Sequence, residues 1–149
     1  MILLTLLLLP LPGPLPQDAA GTAPPSSVLR LETLDLSAVE QDWGRAQAAR
    51  SVDGRPLCIG GRTFAHGLGT HAEGELEIDL HEAALEFLAM AGVDDEVGKR
   101  GSVVFSVWVD GQESFRTPTL HGGDAPQLIA VDLRGARRLV LVLEDGGDG

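Results

Sequence analysis

The sequence predicts an all-β protein, an antiparallel β-sandwich built from about eight short strands. Several short runs alternate apolar with polar residues, and the chain shows no long run of helical period. The 19 glycines and 9 prolines among 149 residues punctuate these runs with turns. With 44% hydrophobic and 22% charged residues, the chain has the composition and the length of one globular domain.

The N-terminus carries a segment that we interpret as an export signal. Residues 2–9 are almost all apolar and prolines follow them. This run is too short to span a bilayer as a helix, but it matches the apolar core of a secretory signal peptide. We therefore expect residues 1–20 to be a signal peptide, 21–27 a linker and 28–149 the folded domain. The protein would then be secreted or periplasmic.

The first part of the domain predicts short elements separated by turns. Apolar residues over 28–36 predict a strand with a bend. The segment 45–54 predicts a helical turn that ends at Asp53-Gly54. Residues 55–59 predict a short strand, and Gly60-Gly61 then marks a turn.

The middle and the end of the chain carry the stronger strand patterns. Residues 73–80 alternate leucine or isoleucine with acidic residues, which predicts a strand with one wet face. Residues 84–93 are apolar on both faces and predict a more central strand. The clearest strand is 102–109, which a tight turn at Asp110-Gly111 joins to an edge strand at 112–117. Two further strands are predicted at 127–133 and 138–143.

The net charge excludes some classes of partner. The chain has 22 acidic against 11 basic residues, a formal net charge of −11. Phosphate backbones and anionic membrane surfaces would repel such a protein, so we expect neither nucleic acid nor a membrane surface as its partner. Neutral ligands and cations remain compatible with this charge.

Familiar catalytic patterns are missing from the sequence. His66 and His71 are five residues apart across a glycine loop, which is unlike the helical H-E-x-x-H zinc motif. Cys58 is the single cysteine, so neither an intrachain disulfide nor a multi-cysteine zinc site can form. No Gly-x-Ser-x-Gly elbow, P-loop or dinucleotide-binding glycine pattern occurs, and no pair of carboxylates stands out for glycoside hydrolysis. We therefore expect the chain by itself to be non-catalytic.

Special residues concentrate in two places between Phe64 and Glu96. The first is the loop Gly67-Leu68-Gly69-Thr70-His71, whose glycines let the backbone approach another strand or a ligand closely. The second is the acidic turn Asp94-Asp95-Glu96. Asp94 and Asp95 are candidate calcium ligands, since calcium prefers carboxylate and carbonyl oxygens. The loop from Asp145 to Asp148 is a second candidate, and plain acidic turns are the alternative in both places.

In order along the chain, several segments together resemble one known family. They are Trp43-Gly44, Asp53 to Leu57, Phe64 to Ala72, Ile78 to Leu80, Phe87 to Glu96, Gly101 to Phe105 and Val109 to Gly111. This series resembles the NPCBM domain, also grouped as carbohydrate-binding module family 51. The resemblance covers roughly residues 28–149, and its most specific pieces are G-L-G-T-H-A and G-V-D-D-E.

The resemblance implies a galactose-binding-like β-sandwich of jelly-roll topology. It also implies recognition of galactose-containing glycans, a structural calcium, and attachment to secreted glycoside hydrolases such as α-galactosidases. The family pattern continues beyond the final glycine-aspartate loop into a closing strand, so we expect this sandwich to lack its last strand. The candidate sugar-binding residues are Trp43 and His71, with Asp94, Asp95 and Glu96 as sugar acceptors or calcium ligands.

Two other functions stay open at this point. The chain could be a fragment of a larger glycoside hydrolase, such as an α-galactosidase, whose catalytic domain lies downstream. It could instead be a structural or protein-interaction sandwich that binds no sugar. The two tryptophans are also open, because Trp43 and Trp108 could each pack in the core rather than face a ligand.

Overall fold

The computed structural model describes residues 27–147. The predicted signal peptide and residues 21–26 of the predicted linker lie outside this range. Within it, regular structure consists of 12 strands and three 3-10 helices. The strands are β1 Glu40–Gln41, β2 Gln47–Ala48, β3 Leu57–Ile59, β4 Arg62–Phe64, β5 Leu68–Gly69, β6 Gly74–Asp79, β7 Glu86–Ala91, β8 Ser102–Val109, β9 Gln112–Arg116, β10 Leu120–His121, β11 Gln127–Asp132 and β12 Arg138–Asp145.

The larger sheet has six antiparallel strands. Its order is β1-β6-β12-β8-β10, and β9 pairs with β8 as well. The register places Leu76 of β6 opposite Leu141 of β12, and Leu141 opposite Val107 of β8. Side chains alternate across a strand, so these apolar residues share one face of the sheet. That face is buried, and the alternating acidic residues of β6 lie on the exposed face.

A second, two-stranded sheet covers the buried face. It consists of β7 and β11, which pair antiparallel with Phe87 opposite Val131 and Ala89 opposite Ile129. Phe87 and Ile129 are fully buried and belong to the same apolar cluster as the inner residues of the larger sheet. The predicted antiparallel β-sandwich is therefore confirmed.

The predicted hairpin between β8 and β9 is also present. Asp110 and Gly111 both have positive φ, 50° and 83°, as a two-residue type I′ turn requires. Asp110 Oδ1 accepts hydrogen bonds from the backbone N–H groups of Arg137 and Arg138, at 3.0 and 2.9 Å. The turn is thereby tied to the beginning of β12, the central strand of the sheet.

Two predicted local elements are wrong. Residues 28–36 form no strand but contain 3-10 helices at Leu31–Thr33 and Leu36–Ala38. Side-chain hydrogen bonds compete with extended structure here, because Asp35 caps the second helix by accepting from the Ser37 N–H. Residues 45–54 form no helical turn either; they contain β2, which pairs with β5.

Candidate functional site

Pairing of β1 with β6 creates the candidate site. Gln41 lies opposite Gly74 in this antiparallel pair, so the chain leaving β1 runs beside the chain entering β6. The backbone N–H of Asp42 extends the pairing by donating to the Glu73 carbonyl at 3.1 Å. Trp43, which follows β1, and His71, which precedes β6, are consequently brought to the same end of the sandwich.

Trp43 and His71 contact each other at this end. Their ring centroids are 5.7 Å apart and their planes form an angle of 63°, an edge-to-face arrangement. Trp43 is 61% exposed, so it does not pack in the core. Trp108, in contrast, is half-buried in β8, and its indole N–H donates to Ser106 Oγ at 3.0 Å. Of the two tryptophans, Trp43 therefore presents the free aromatic surface.

A pair of linked hydrogen bonds fixes the Trp43 loop. The hydroxyl of Thr70, which is 3% exposed, donates to Gln41 Oε1 at 2.6 Å. The amide nitrogen of Gln41 donates in turn to the Trp43 carbonyl. These contacts link the residue before His71 to the tryptophan across from it. Gln41 was not predicted as part of the site, because an isolated glutamine in a polar turn carries no recognisable signal.

The glycine loop before His71 packs against the chain rather than against open space. A Cβ at Gly69 would lie 2.1 Å from the carbonyl oxygen of Arg50, closer than any side chain permits. Gly69 therefore allows β5 to approach the segment that follows β2. Of the two roles predicted for the loop glycines, Gly69 shows close approach to another part of the chain.

Trp43 and His71 stand on the wall of a cleft of about 770 Å³. Buried Val93 and Val103 contribute to its apolar lining. The cleft draws residues from five parts of the chain, and its lining consists of Asp42, Trp43, Val52, Asp53, His71, Ala72, Glu73, Val93, Glu96, Val97, Arg100, Gly101, Ser102, Val103 and Asp145. This combination of aromatic, apolar and polar groups in one concave surface is typical of small-molecule sites.

Of the acidic turn, Glu96 alone lines the cleft. Its Oε2 accepts a hydrogen bond from the Ser51 hydroxyl at 2.6 Å. Trp43, His71 and Glu96 are thus the predicted site residues that the structure brings together. Asp94 and Asp95 lie outside the cleft lining.

Asp94 and Asp95 hold the β3–β4 hairpin instead. Asp94 is 2% exposed and accepts from the backbone N–H groups of Cys58 and Glu96, each at 3.0 Å. Asp95 accepts from the N–H groups of Gly60 and Gly61 at 2.9 and 2.7 Å. Four backbone donors therefore converge on two adjacent carboxylates, which fastens the hairpin to the turn after β7.

The Cys58 thiol takes part in the same cluster. It donates to Asp95 Oδ2 at 3.1 Å. Because a thiolate could not make this hydrogen bond, and because the two neighbouring carboxylates would repel its charge, the pKa of Cys58 is raised to about 11. The thiol bond and the glycine N–H groups stabilise the ionised carboxylate, so the pKa of Asp95 is lowered.

The hydrogen bonds of Asp94 and Asp95 also bear on their predicted role as calcium ligands. All four carboxylate oxygens of Asp94 and Asp95 already accept from N–H or S–H donors, whose hydrogens point at the oxygens. Within residues 27–147, no group of three or more His, Cys, Asp or Glu side chains is arranged to hold a metal ion. Asp94 and Asp95 are thus engaged with the hairpin, and neither belongs to such a group among the described residues. The second candidate loop includes Asp148, which lies outside the described residues.

Comparison with known proteins decides the family. The family model described as the NPCBM/NEW2 domain matches residues 27–149. The chain belongs to this family. The match includes both the Trp43 loop and the His71 loop, and it agrees with the resemblance inferred from the ordered motifs.

Curated relatives of this NPCBM/NEW2 domain are much longer proteins. A Renibacterium salmoninarum protein with the name "Putative endo-alpha-N-acetylgalactosaminidase" is 37% identical over 109 residues, which are 73% of this chain and 7% of that protein. The Alpha-1,3-galactosidase B of Akkermansia muciniphila is 26% identical over 120 residues, 78% of this chain and 15% of that protein. The chain thus spans a small part of each relative.

Solved structures of similar fold are carbohydrate-binding modules. The CBM51 from Clostridium perfringens GH95, in complex with methyl-galactose, is 28% identical, with a TM-score of 0.73 over 80% of this chain and 88% of that one. The structure of CBM51-2 in complex with GlcNAc and INT domains from Clostridium perfringens ZmpB gives the same identity and TM-score, over 80% and 27% of the two chains. The NPCBM/NEW2 domain therefore has the galactose-binding-like sandwich that its sequence predicts.

The structure also bears on membrane insertion. Among residues 27–147, no helix has the length and the apolar character needed to cross a membrane.

Proposed function

We propose that this NPCBM/NEW2 domain is a non-catalytic module that binds galactose-containing glycans in the cleft beside Trp43 and His71. One observation carries the proposal. The exposed Trp43 ring, held edge to face by His71, stands in a 770 Å³ cleft of a domain whose structural neighbour holds methyl-galactose.

The chemistry of the cleft suits a sugar. One face of a galactose ring presents mainly C–H groups, which pack against an exposed aromatic surface such as Trp43. The hydroxyl groups need donors and acceptors, and His71, Glu96 and Arg100 supply both kinds along the lining. A cleft with one aromatic wall and several polar groups thus provides affinity through the ring face and orientation through hydrogen bonds.

The names of the curated relatives suggest what such a module does for a linked enzyme. Both curated relatives bear the names of glycoside hydrolases, and this chain matches only a small part of each. We infer that the module keeps a linked hydrolase close to galactose-containing glycans and thereby raises its effective concentration at the substrate. The apolar segment 2–9 supports export of the protein, since such glycans are extracellular ligands.

A glycan array rich in galactosides tests this function. We expect the purified protein to bind galactose-terminated glycans, and to lose that binding when free galactose is added in excess. Parallel arrays with calcium and with a chelator show whether binding needs the metal. Absence of binding in both conditions, from protein with a cooperative thermal unfolding transition, would favour a protein-interaction sandwich.

A further inference from the structure

We infer that the cleft selects by charge, accepting uncharged and cationic galactosides and rejecting anionic ones such as sialylated, sulfated or uronic acid derivatives. The inference rests on the proposed function and adds a class of ligand to it. It depends on the distribution of charged side chains around the cleft.

Carboxylates dominate the cleft lining. The lining contains one guanidinium, that of Arg100, and five carboxylates, those of Asp42, Asp53, Glu73, Glu96 and Asp145. The formal excess is four negative charges in one concave surface, and all of these side chains except half-buried Glu96 belong to exposed residues. A lining of one sign concentrates its field inside a cleft.

Four arginines of the domain are engaged elsewhere and do not offset this excess. They form ion pairs with carboxylates outside the cleft lining: Arg116 with Glu113 and Glu144, Arg134 with Asp132, Arg137 with Glu82, and Arg138 with Glu77. The net charge of −11 for the whole chain adds to the field rather than opposing it.

The expected discrimination follows from Coulomb's law. If four excess charges act on a ligand charge from an average distance of roughly 9 Å in water, they change the dissociation constant by about tenfold at 10 mM ionic strength. Screening reduces the factor to about threefold at 0.15 M and removes it near 1 M. The effect is therefore large enough to measure and has a salt dependence that steric exclusion lacks.

Three galactosides that differ in the charge of a short aglycone isolate this effect. They are 2-hydroxyethyl, 2-aminoethyl and carboxymethyl galactoside, each tested as both anomers. The galactose ring is unchanged in all three, so they differ only in the group attached at the anomeric carbon. At 10 mM salt we expect calorimetry to rank their affinities as aminoethyl above hydroxyethyl above carboxymethyl, with about tenfold between neighbours. At 1 M salt the three should converge.

A pair of double variants assigns the effect to the cleft. In Asp42→Asn/Glu73→Gln, two of the four excess charges are removed, so the penalty against the carboxymethyl ligand should fall from about tenfold to about threefold. The matched control, Glu77→Gln/Glu82→Gln, removes two carboxylates that line a separate cleft with Arg137 and Arg138. The control should keep the penalty near that of the natural sequence. The ratio of the two affinities is the readout, because the cleft variant can also change contacts with the neutral sugar.

The possible results separate the inference from the function it rests on. If the protein binds the hydroxyethyl and the carboxymethyl galactosides with equal affinity at low salt, charge selection is overturned. The proposed binding of galactosides would still stand. A penalty that persists in 1 M salt and in the cleft variant would overturn it too, since its cause would be steric. No binding of the hydroxyethyl galactoside by folded protein would overturn both.

Discussion

The Trp43 indole and the His71 imidazole meet edge to face on the wall of the cleft, with 5.7 Å between ring centroids. They are 28 positions apart in sequence, and the pairing of β1 with β6 brings them together. The contact leaves Trp43 61% exposed, so most of the indole surface is available to a ligand.

Replacing Trp43 by alanine should abolish most galactoside binding and barely affect stability. An aromatic face that packs against a sugar contributes about 1–2 kcal/mol, which corresponds to a loss of affinity of about 5- to 30-fold. Because the side chain is exposed, the melting temperature should change by less than about 2 °C. Calorimetric titration and thermal unfolding measure the two quantities.

Trp108→Phe is the matched control for this variant. It removes the indole N–H that donates to Ser106 in β8, away from the cleft lining. It should lower stability and keep galactoside binding. Unchanged affinity in Trp43→Ala would place the sugar elsewhere on the domain.

Replacing His71 by alanine should weaken galactoside binding about 5- to 10-fold without unfolding the protein. The expected loss is that of one hydrogen bond to the ligand together with the edge support of the indole. His81→Asn is a suitable control, since His81 lies in the separate cleft near Arg137 and its positive φ of 49° is compatible with asparagine. Normal affinity in a folded His71→Ala variant would remove His71 from the site.

Replacing Asp94 by alanine should destabilise the domain by about 2–3 kcal/mol. The substitution leaves the part-buried Cys58 and Glu96 N–H donors without acceptors, and the side chain it removes is 2% exposed. The melting temperature should fall by about 5–10 °C. Asp53→Ala, at an exposed position, should change it by less than about 2 °C. Equal melting temperatures for the two variants would contradict the anchoring role of Asp94.

Much of the sandwich could be predicted because its long strands carry their own signal. In β6, burial on one face imposes an alternation of side chains that is visible in the sequence, and β8 is marked by its run of valine and aromatic residues. The segment 28–36 was predicted wrongly for a physical reason: its leucines alternate, but the Asp35 cap and the Thr33 hydroxyl bond to Arg30 stabilise 3-10 turns.

The candidate site was predictable only in part. Trp43 and His71 are uncommon residues in glycine-marked loops, which made them recognisable. Gln41, Thr70 and Arg100 belong to the site through pairing of distant strands, and no local pattern marks them. The contacts of Asp94 and Asp95 with backbone N–H groups could not be predicted either, because an acidic turn looks alike in sequence whether its oxygens face a metal ion or N–H donors.

The response of the domain to calcium should not depend on Asp95. Both of its oxygens accept hydrogen bonds from the hairpin at Gly60 and Gly61, so we expect any calcium that the protein binds to use other ligands. Thermal unfolding of the natural sequence and of Asp95→Asn, each with calcium and with a chelator, measures the response. We expect the shift in melting temperature between the two conditions to be the same in both proteins. A calcium shift that disappears in Asp95→Asn would make Asp95 a ligand.

The Cys58 thiol should react unusually slowly with alkylating agents. Its pKa is raised to about 11 by the hydrogen bond to Asp95 and by burial, so at pH 8 only about one thiol in a thousand is the reactive thiolate. Iodoacetamide should therefore modify the folded protein about 100-fold more slowly than it modifies a free cysteine, with a rate that rises about tenfold per pH unit up to pH 10. Asp95→Asn removes the negative charge beside the sulfur and should accelerate the reaction.

Alkylation in guanidinium chloride is the control, since unfolding separates Cys58 from Asp95 and should restore the ordinary rate. A folded-state rate equal to that of free cysteine would show that the thiol does not hydrogen-bond to Asp95 in solution.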